Sequence, residues 1–145
     1  MSSLIDILSK LLLLLAMCFI IGCNQLKLED GDLEILEVIL PDTGVTTDEE
    51  FYFRVKVQNN ATHDIDDQKY EIRIYFNGEL YDKYVGHRVF IKGSSFTYGV
   101  PVILDTSDNV EWHAEIALRG NIALDAKRGS LRPSMKENFD EVVSK

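Results

Sequence analysis

The sequence predicts an all-β domain, an antiparallel sandwich or barrel of seven or eight short strands. Two observations predict it. Apolar and polar residues alternate with period two in several short segments, the spacing that buries one face of a strand. Turn signals rich in Gly, Asn, Asp and Ser separate those segments at regular intervals.

A different segment precedes this domain. Leu11 to Ile21 is uncharged and largely aliphatic. It is too short to span a hydrocarbon core, which takes about 20 residues, but it fits the apolar region of an export signal. Lys10 and the α-amine supply weak positive charge upstream, less Asp6. Ile20-Ile21-Gly22-Cys23 closes the segment. This tetrapeptide resembles the lipobox of prokaryotic lipoproteins. The resemblance implies a signal peptide over 1–22, cleavage before Cys23, and a diacylglycerol thioether on the Cys23 sulfur. Two acyl chains suffice for stable anchoring. The competing reading is an uncleaved membrane helix from Leu4 to Gly22, which Asp6, Ser9 and Lys10 interrupt. Residues 23–30 then form a short polar tether, and residues 31–125 the sandwich.

Leu33 to Leu40 is the first apolar run. Leu33, Leu36, Glu37 and Leu40 would share a helical face, but the Ile and Val content and Pro41 favour a strand that stops at the proline. Asp42 to Glu50 is a turn-rich acidic connection. In Phe51 to Gln58, Phe51, Phe53, Val55 and Val57 face inward and Tyr52, Arg54, Lys56 and Gln58 outward. Asn59 to Gln68 is a polar loop. Tyr70 to Phe76 alternates again, with Glu71, Arg73 and Tyr75 outward. Asn77-Gly78 follows, a strong signal for a two-residue hairpin turn in which both positions take φ > 0. That turn predicts Phe76 opposite Glu79, Ile74 opposite Tyr81 and Arg73 opposite Asp82.

The return strand ends at Val85-Gly86, and Val89 to Ile91 reads as a short strand. Phe96 to Leu104 places Phe96, Tyr98, Val100 and Val102 on one face. Pro101 lacks an N–H and marks that strand as an edge or as bulged. Val110 to Leu118 follows, with Trp112 as an inward anchor and His113 outward. Asn121 to Leu124 adds a last short strand. Residues 126–145 read as a solvated polar tail. Within it, Ser134 to Glu137 has a capping-box pattern, and Met135, Phe139, Val142 and Val143 follow at helical spacing.

Composition narrows function. The net charge is −9, and the signal segment holds one acid and one base, so the mature chain keeps it. Such a domain repels phosphate backbones, which excludes nucleic acid as an expected partner. Of the two cysteines, Cys18 leaves with the signal and Cys23 carries lipid, so the expected mature fold has no disulfide.

A second resemblance covers residues 31–120. Asp32-Leu33 opening a strand, Pro41, then FYFRVKVQNNA, IRIYFNGELYD, KGSS and WHAEIAL occur in an order that resembles the bacterial cell-adhesion-related domain (CARDB). In that family an Asn-centred turn follows the second strand, matched by Asn59-Asn60-Ala61. A Gly-containing turn precedes the fifth, matched by Gly93-Ser94. The resemblance implies an Ig-like antiparallel β-sandwich of about seven strands, used as a stalk or adhesion module and without catalytic residues.

No motif for nucleophilic, phosphoryl-transfer or cysteine-based chemistry stands in residues 23–145, so no catalytic residue and no cofactor is expected. His63, His87 and His113 lack metal-ligand spacing and read as surface groups. Asp64, Asp66 and Asp67, with Asp105 and Asp108, would supply carboxylates for a Ca²⁺ site if one end of the sandwich gathered them. Solvated turns are the simpler reading. Asn60-Ala61-Thr62 matches an N-glycosylation acceptor. Tyr52, Arg54, Lys56, Arg73 and Tyr75 point away from the expected core and form the candidate binding surface, since aromatics and Arg are enriched at recognition surfaces. Cross-strand shielding of an outer face would use the same residues.

The sequence thus reads as a non-enzymatic envelope lipoprotein. It would be held by lipid to the extracytoplasmic side of a cell membrane or outer membrane. Its domain would serve adhesion or scaffolding by binding an envelope protein or surface glycan. The alternative is an accessory or inhibitory subunit of an envelope complex.

Overall fold

The computed structural model describes residues 27–136. Cys23, the signal segment and the helical spacing beyond Lys136 lie outside the described residues. Seven strands run in the order β1 (Leu33–Ile39), β2 (Glu50–Asn59), β3 (Tyr70–Phe76), β4 (Glu79–Val85), β5 (Ser95–Ile103), β6 (Val110–Leu118) and β7 (Ala123–Leu131). They form two antiparallel sheets, β1-β2-β5 and β4-β3-β6-β7. No helix among the described residues is long and apolar enough to cross a membrane.

The alternation in the sequence becomes the core between the sheets. Phe53, Val55 and Val57 of β2 are fully buried, as are Ile72 and Ile74 of β3 and Ala114 and Ile116 of β6. Burying each large aliphatic side chain contributes about 1.5–3 kcal/mol. Phe53 packs edge-on against both Phe76 and Trp112, at centroid distances of 5.4 and 5.6 Å. Trp112 is thus a core residue, set at the rim and half-buried.

Antiparallel pairing fixes which connections share an end. Leu33 pairs with Asn59, and Gln58 with Ser95, so the chain enters the domain at the end that carries 60–69, 86–94 and 119–122. Glu50 pairs with Ile103, and Val110 with Leu131, so 40–49, the 77–78 turn, 104–109 and 132–136 lie at the opposite end.

Four details differ from the sequence reading. The Asn77-Gly78 turn forms, with φ of 50° and 83°, and Phe76 does face Glu79. A bulge beside Tyr75 then shifts the register, so Ile74 faces Asp82 and Arg73 faces Lys83. The expected Arg73–Asp82 pair is absent because the extra residue turns Asp82 inward, where the Tyr98 hydroxyl donates to it. Val89 to Ile91 contributes one bridge, Phe90 to Ile65, instead of a strand. β7 extends to Leu131, well past the expected boundary at 125, since β6 offers it nine residues of backbone to pair with. Ser134 lies alongside Thr46 in a parallel bridge, which ties the start of the expected polar tail to the domain.

Side chains close both open sides of the sandwich. The Ile35 N–H donates to Asp125 at 2.7 Å, and Lys127 Nζ donates to the Leu36 carbonyl at 3.0 Å, which joins edge strand β1 to edge strand β7. On the other side the Tyr81 hydroxyl donates to the Pro101 carbonyl at 3.0 Å, which joins β4 to β5. Pro101 does sit on an edge strand, where its missing N–H costs no ladder bond.

Candidate functional site

The five expected binding residues do not form one surface. Tyr52, Arg54 and Lys56 lie on the outer face of the three-stranded sheet, and Arg73 and Tyr75 on the outer face of the four-stranded sheet. The core separates them. Period two in β2 and β3 placed each residue correctly outward, but it carries no information on which sheet a strand joins.

Arg73 and Tyr75 are taken up in a local network. Arg73 Nε lies 3.2 Å from Glu115 and 3.6 Å from Glu71, and Glu71 is almost fully buried. The Arg73–Glu115 contact is an ion pair without hydrogen-bond alignment. An Arg73 guanidinium nitrogen donates to the Asn121 carbonyl at 3.0 Å. His113 Nε2 sits 3.3 Å from Glu115, and its ring stacks on Tyr75 at 5.4 Å and 26°. Burial holds the His113 pKa below the ordinary histidine value, with Arg128 and Arg73 adding to the effect and Glu115 opposing it. This group shields the outer face and fixes the β3–β6 pairing.

Tyr52 and Arg54 remain available. Tyr52 is 49% exposed, and the Arg54 guanidinium stands 5.8 Å from the Tyr52 ring centroid, within cation–π range. Gly99 pairs with Arg54 across the strands, and a Cβ there would lie 3.3 Å from Arg54 Cγ and 3.7 Å from Tyr52 Cδ1. The glycine therefore makes room for both side chains to lie across β5. Lys56 is half-buried, between Glu37 and Thr97 in register.

Sequence reading missed the neighbours that complete this surface. Pro101 lies opposite Tyr52, Ile103 opposite Glu50, and Tyr81 reaches over from β4. Strand parity in β5 marked Pro101 and Ile103 as outward, but only the pairing sets them beside Tyr52. Tyr84 is drawn inward instead, into an aromatic cluster with Tyr70, Phe96 and Tyr98. These rings line a crevice of about 400 Å³ between β4, β5 and the 86–94 connection. Burial pushes the Tyr70 hydroxyl up to about 12, with Tyr84 adding to the effect, and that hydroxyl donates to the Arg88 carbonyl at 3.1 Å.

The candidate Ca²⁺ ligands are split. Asp64, Asp66 and Asp67 sit on the 60–69 connection, whereas Asp105 and Asp108 sit at the other end of the sandwich. Among the described residues, no three His, Cys, Asp or Glu side chains converge to hold a metal ion.

No family model matches this sequence. No curated protein matches it either. Among solved structures, the fold is that of CARDB domains, which are Ig-like sandwiches. A solution structure of the CARDB domain of the PF1109 protein from Pyrococcus furiosus matches with a TM-score of 0.59 at 16% identity, over 74% of this chain and 98% of that one. A crystal structure of the same domain, in complex with di-metal ions, matches with a TM-score of 0.60 at 16% identity, over 76% and 99%.

Proposed function

We propose that this chain is an envelope lipoprotein, tethered by lipid on Cys23, whose Ig-like domain is a non-catalytic binding module for adhesion or scaffolding. One observation carries the binding reading. The outer face of the three-stranded sheet leaves Tyr52, Pro101 and Ile103 exposed beside Arg54, and those side chains are not used to hold the fold together. On the other outer face Glu71, Arg73, His113 and Glu115 are spent on each other. The lipobox resemblance at Ile20 to Cys23 supports the tether.

The mass of the N-terminal peptide from membrane-fraction protein tests the tether. A peptide starting at Cys23 with added acyl mass is the expected result. An intact Met1 without lipid would replace the lipid tether with a protein one. The accessory-subunit alternative predicts co-purification with one membrane complex, whereas adhesion predicts binding to an external ligand or to cells.

A further inference from the structure

Exposed apolar side chains stand at both ends of the domain, Val89, Ile91 and Ile122 at the chain entry, and a contiguous set over the β5 edge towards the opposite end. Tyr52, Tyr81 and Ile103 are 49%, 45% and 57% exposed. Tyr52 faces Pro101 across the strands, and the Pro101 carbonyl accepts the Tyr81 hydroxyl, so these side chains form one patch over the β5 edge. Single exposed apolar residues are ordinary, but contiguous ones rimmed by polar groups mark interaction sites.

The rim of this patch carries Arg54 on one side and is acidic on the side of the connections at its end. The connections at its end, 40–49, 104–109 and 132–136, carry five Asp or Glu against two Lys or Arg. One of those two, Lys136, already pairs with Glu49 at 3.5 Å. Glu50 sits directly opposite Ile103. At the entry end, residues 27–32, 60–69, 86–94 and 119–122 carry six acids against five bases. The connections at the far end are therefore the more acidic of the two sets, at −3 against −1.

We propose that this patch docks a partner protein whose contact face is apolar and ringed by Lys and Arg. The inference rests on the tethered-module reading and names the partner class for its surface. Charge complementarity selects that occupant. A second copy of this chain would bring the same acidic rim and be repelled. Residues 137–145 do not supply the basic ring either, since Glu137, Asp140 and Glu141 outweigh Lys145. The four residue steps from Cys23 to Lys27 reach at most about 14 Å. A lipid on Cys23 would thus hold the entry end to the bilayer and turn the patch outward, towards proteins.

The test uses the full chain in detergent and three synthetic peptides. One is an amphipathic helix with a Leu/Phe face and a Lys/Arg polar face. The second has the same apolar face with Glu/Asp opposite, and the third is a scramble of the first. Affinity is read by fluorescence anisotropy for the native chain and for charge-neutral variants. The expected result is selective binding of the first peptide, weakened by salt and weakened about tenfold or more in Tyr52→Ser/Ile103→Ser. Ile122→Ser, at the opposite end, should leave affinity unchanged. Equal binding of the acidic or scrambled peptide would overturn the proposal. So would no binding at all, or no loss in Tyr52→Ser/Ile103→Ser. The N-terminal mass is read on the same preparation. A lipidated Cys23 without peptide binding defeats the docking surface alone, whereas peptide binding with an intact Met1 defeats only the lipid tether.

Discussion

Asn59 is fully buried at the end of β2, and its side chain organises the loops around it. Its Nδ2 donates to the Phe90 carbonyl at 2.7 Å, and its Oδ1 accepts the Ala61 N–H at 2.9 Å. Asn59→Ala leaves the Ala61 N–H without its acceptor and removes one of two donors to the Phe90 carbonyl, which keeps the Ile65 N–H, and leaving a buried group unpaired costs about 1–3 kcal/mol. Urea unfolding should show that loss, while Asn60→Ala, at an exposed neighbour, should cost less. Gly86 permits a close approach, since a Cβ there would lie 2.2 Å from the Tyr70 ring. Overpacking of this kind costs about 1–3 kcal/mol, so Gly86→Ala should lower the denaturation midpoint without changing the slope. His113 gives a pH signature. Its pKa is lowered by burial, so the unfolded chain takes up the proton first as pH falls. The stability it contributes is complete above the ordinary value of 6.5 and is lost as pH falls through the lower folded value. His113→Gln should flatten the decline of stability that begins as pH falls below 6.5, measured by thermal melts across pH.

Strand β7 shows how an element can be hidden in a sequence. ALDAKRGSL has little apolar alternation, and its polar residues suggested a tail. In the sheet those polar residues make specific contacts. Asp125 and Lys127 tie β7 to β1, and Gly129 leaves room for the Trp112 ring, which would lie 2.4 Å from a Cβ at that position. Truncation after Asp125 should therefore abolish cooperative unfolding, whereas truncation after Lys136 should retain it, with circular dichroism as the readout. The bulge in β4 is likewise a matter of partners. It gives Asp82 the Tyr98 hydroxyl, and Tyr98→Phe would leave that inward carboxylate with one fewer donor. Hydrogen exchange should then be faster in β4 and β5 than in β1 and β7.

At the scale of the whole molecule, non-local pairing dominates. β2 pairs with β5 and β3 with β6, both across long stretches of chain. All-β topologies of this kind fold in about milliseconds to seconds, because loop closure precedes the contacts that offset it. Stopped-flow refolding followed by Trp112 fluorescence should fall in that range, and a microsecond phase carrying the full amplitude would contradict it. The distribution of charge belongs to the same scale, since the acidic and the balanced ends exist only once the strands are paired.

Local physics made the all-β class legible in the residues alone, with the strands other than the full length of β7, the Asn77-Gly78 turn and the inward or outward sense of nearly every strand residue. That physics is a period of two, turn residues that accept positive φ, and a proline that cannot join a ladder. Tyr52 and Arg54 were legible as outward for the same reason. Folding was needed to put Arg73 and Tyr75 across the core from Tyr52, to send Asp64 and Asp105 to opposite ends, and to complete a patch with Pro101, Ile103 and Tyr81. Those facts depend on which strands pair and in what register. Residues far apart in the chain set that pairing through the packing of one shared core, and strand periodicity carries no record of it.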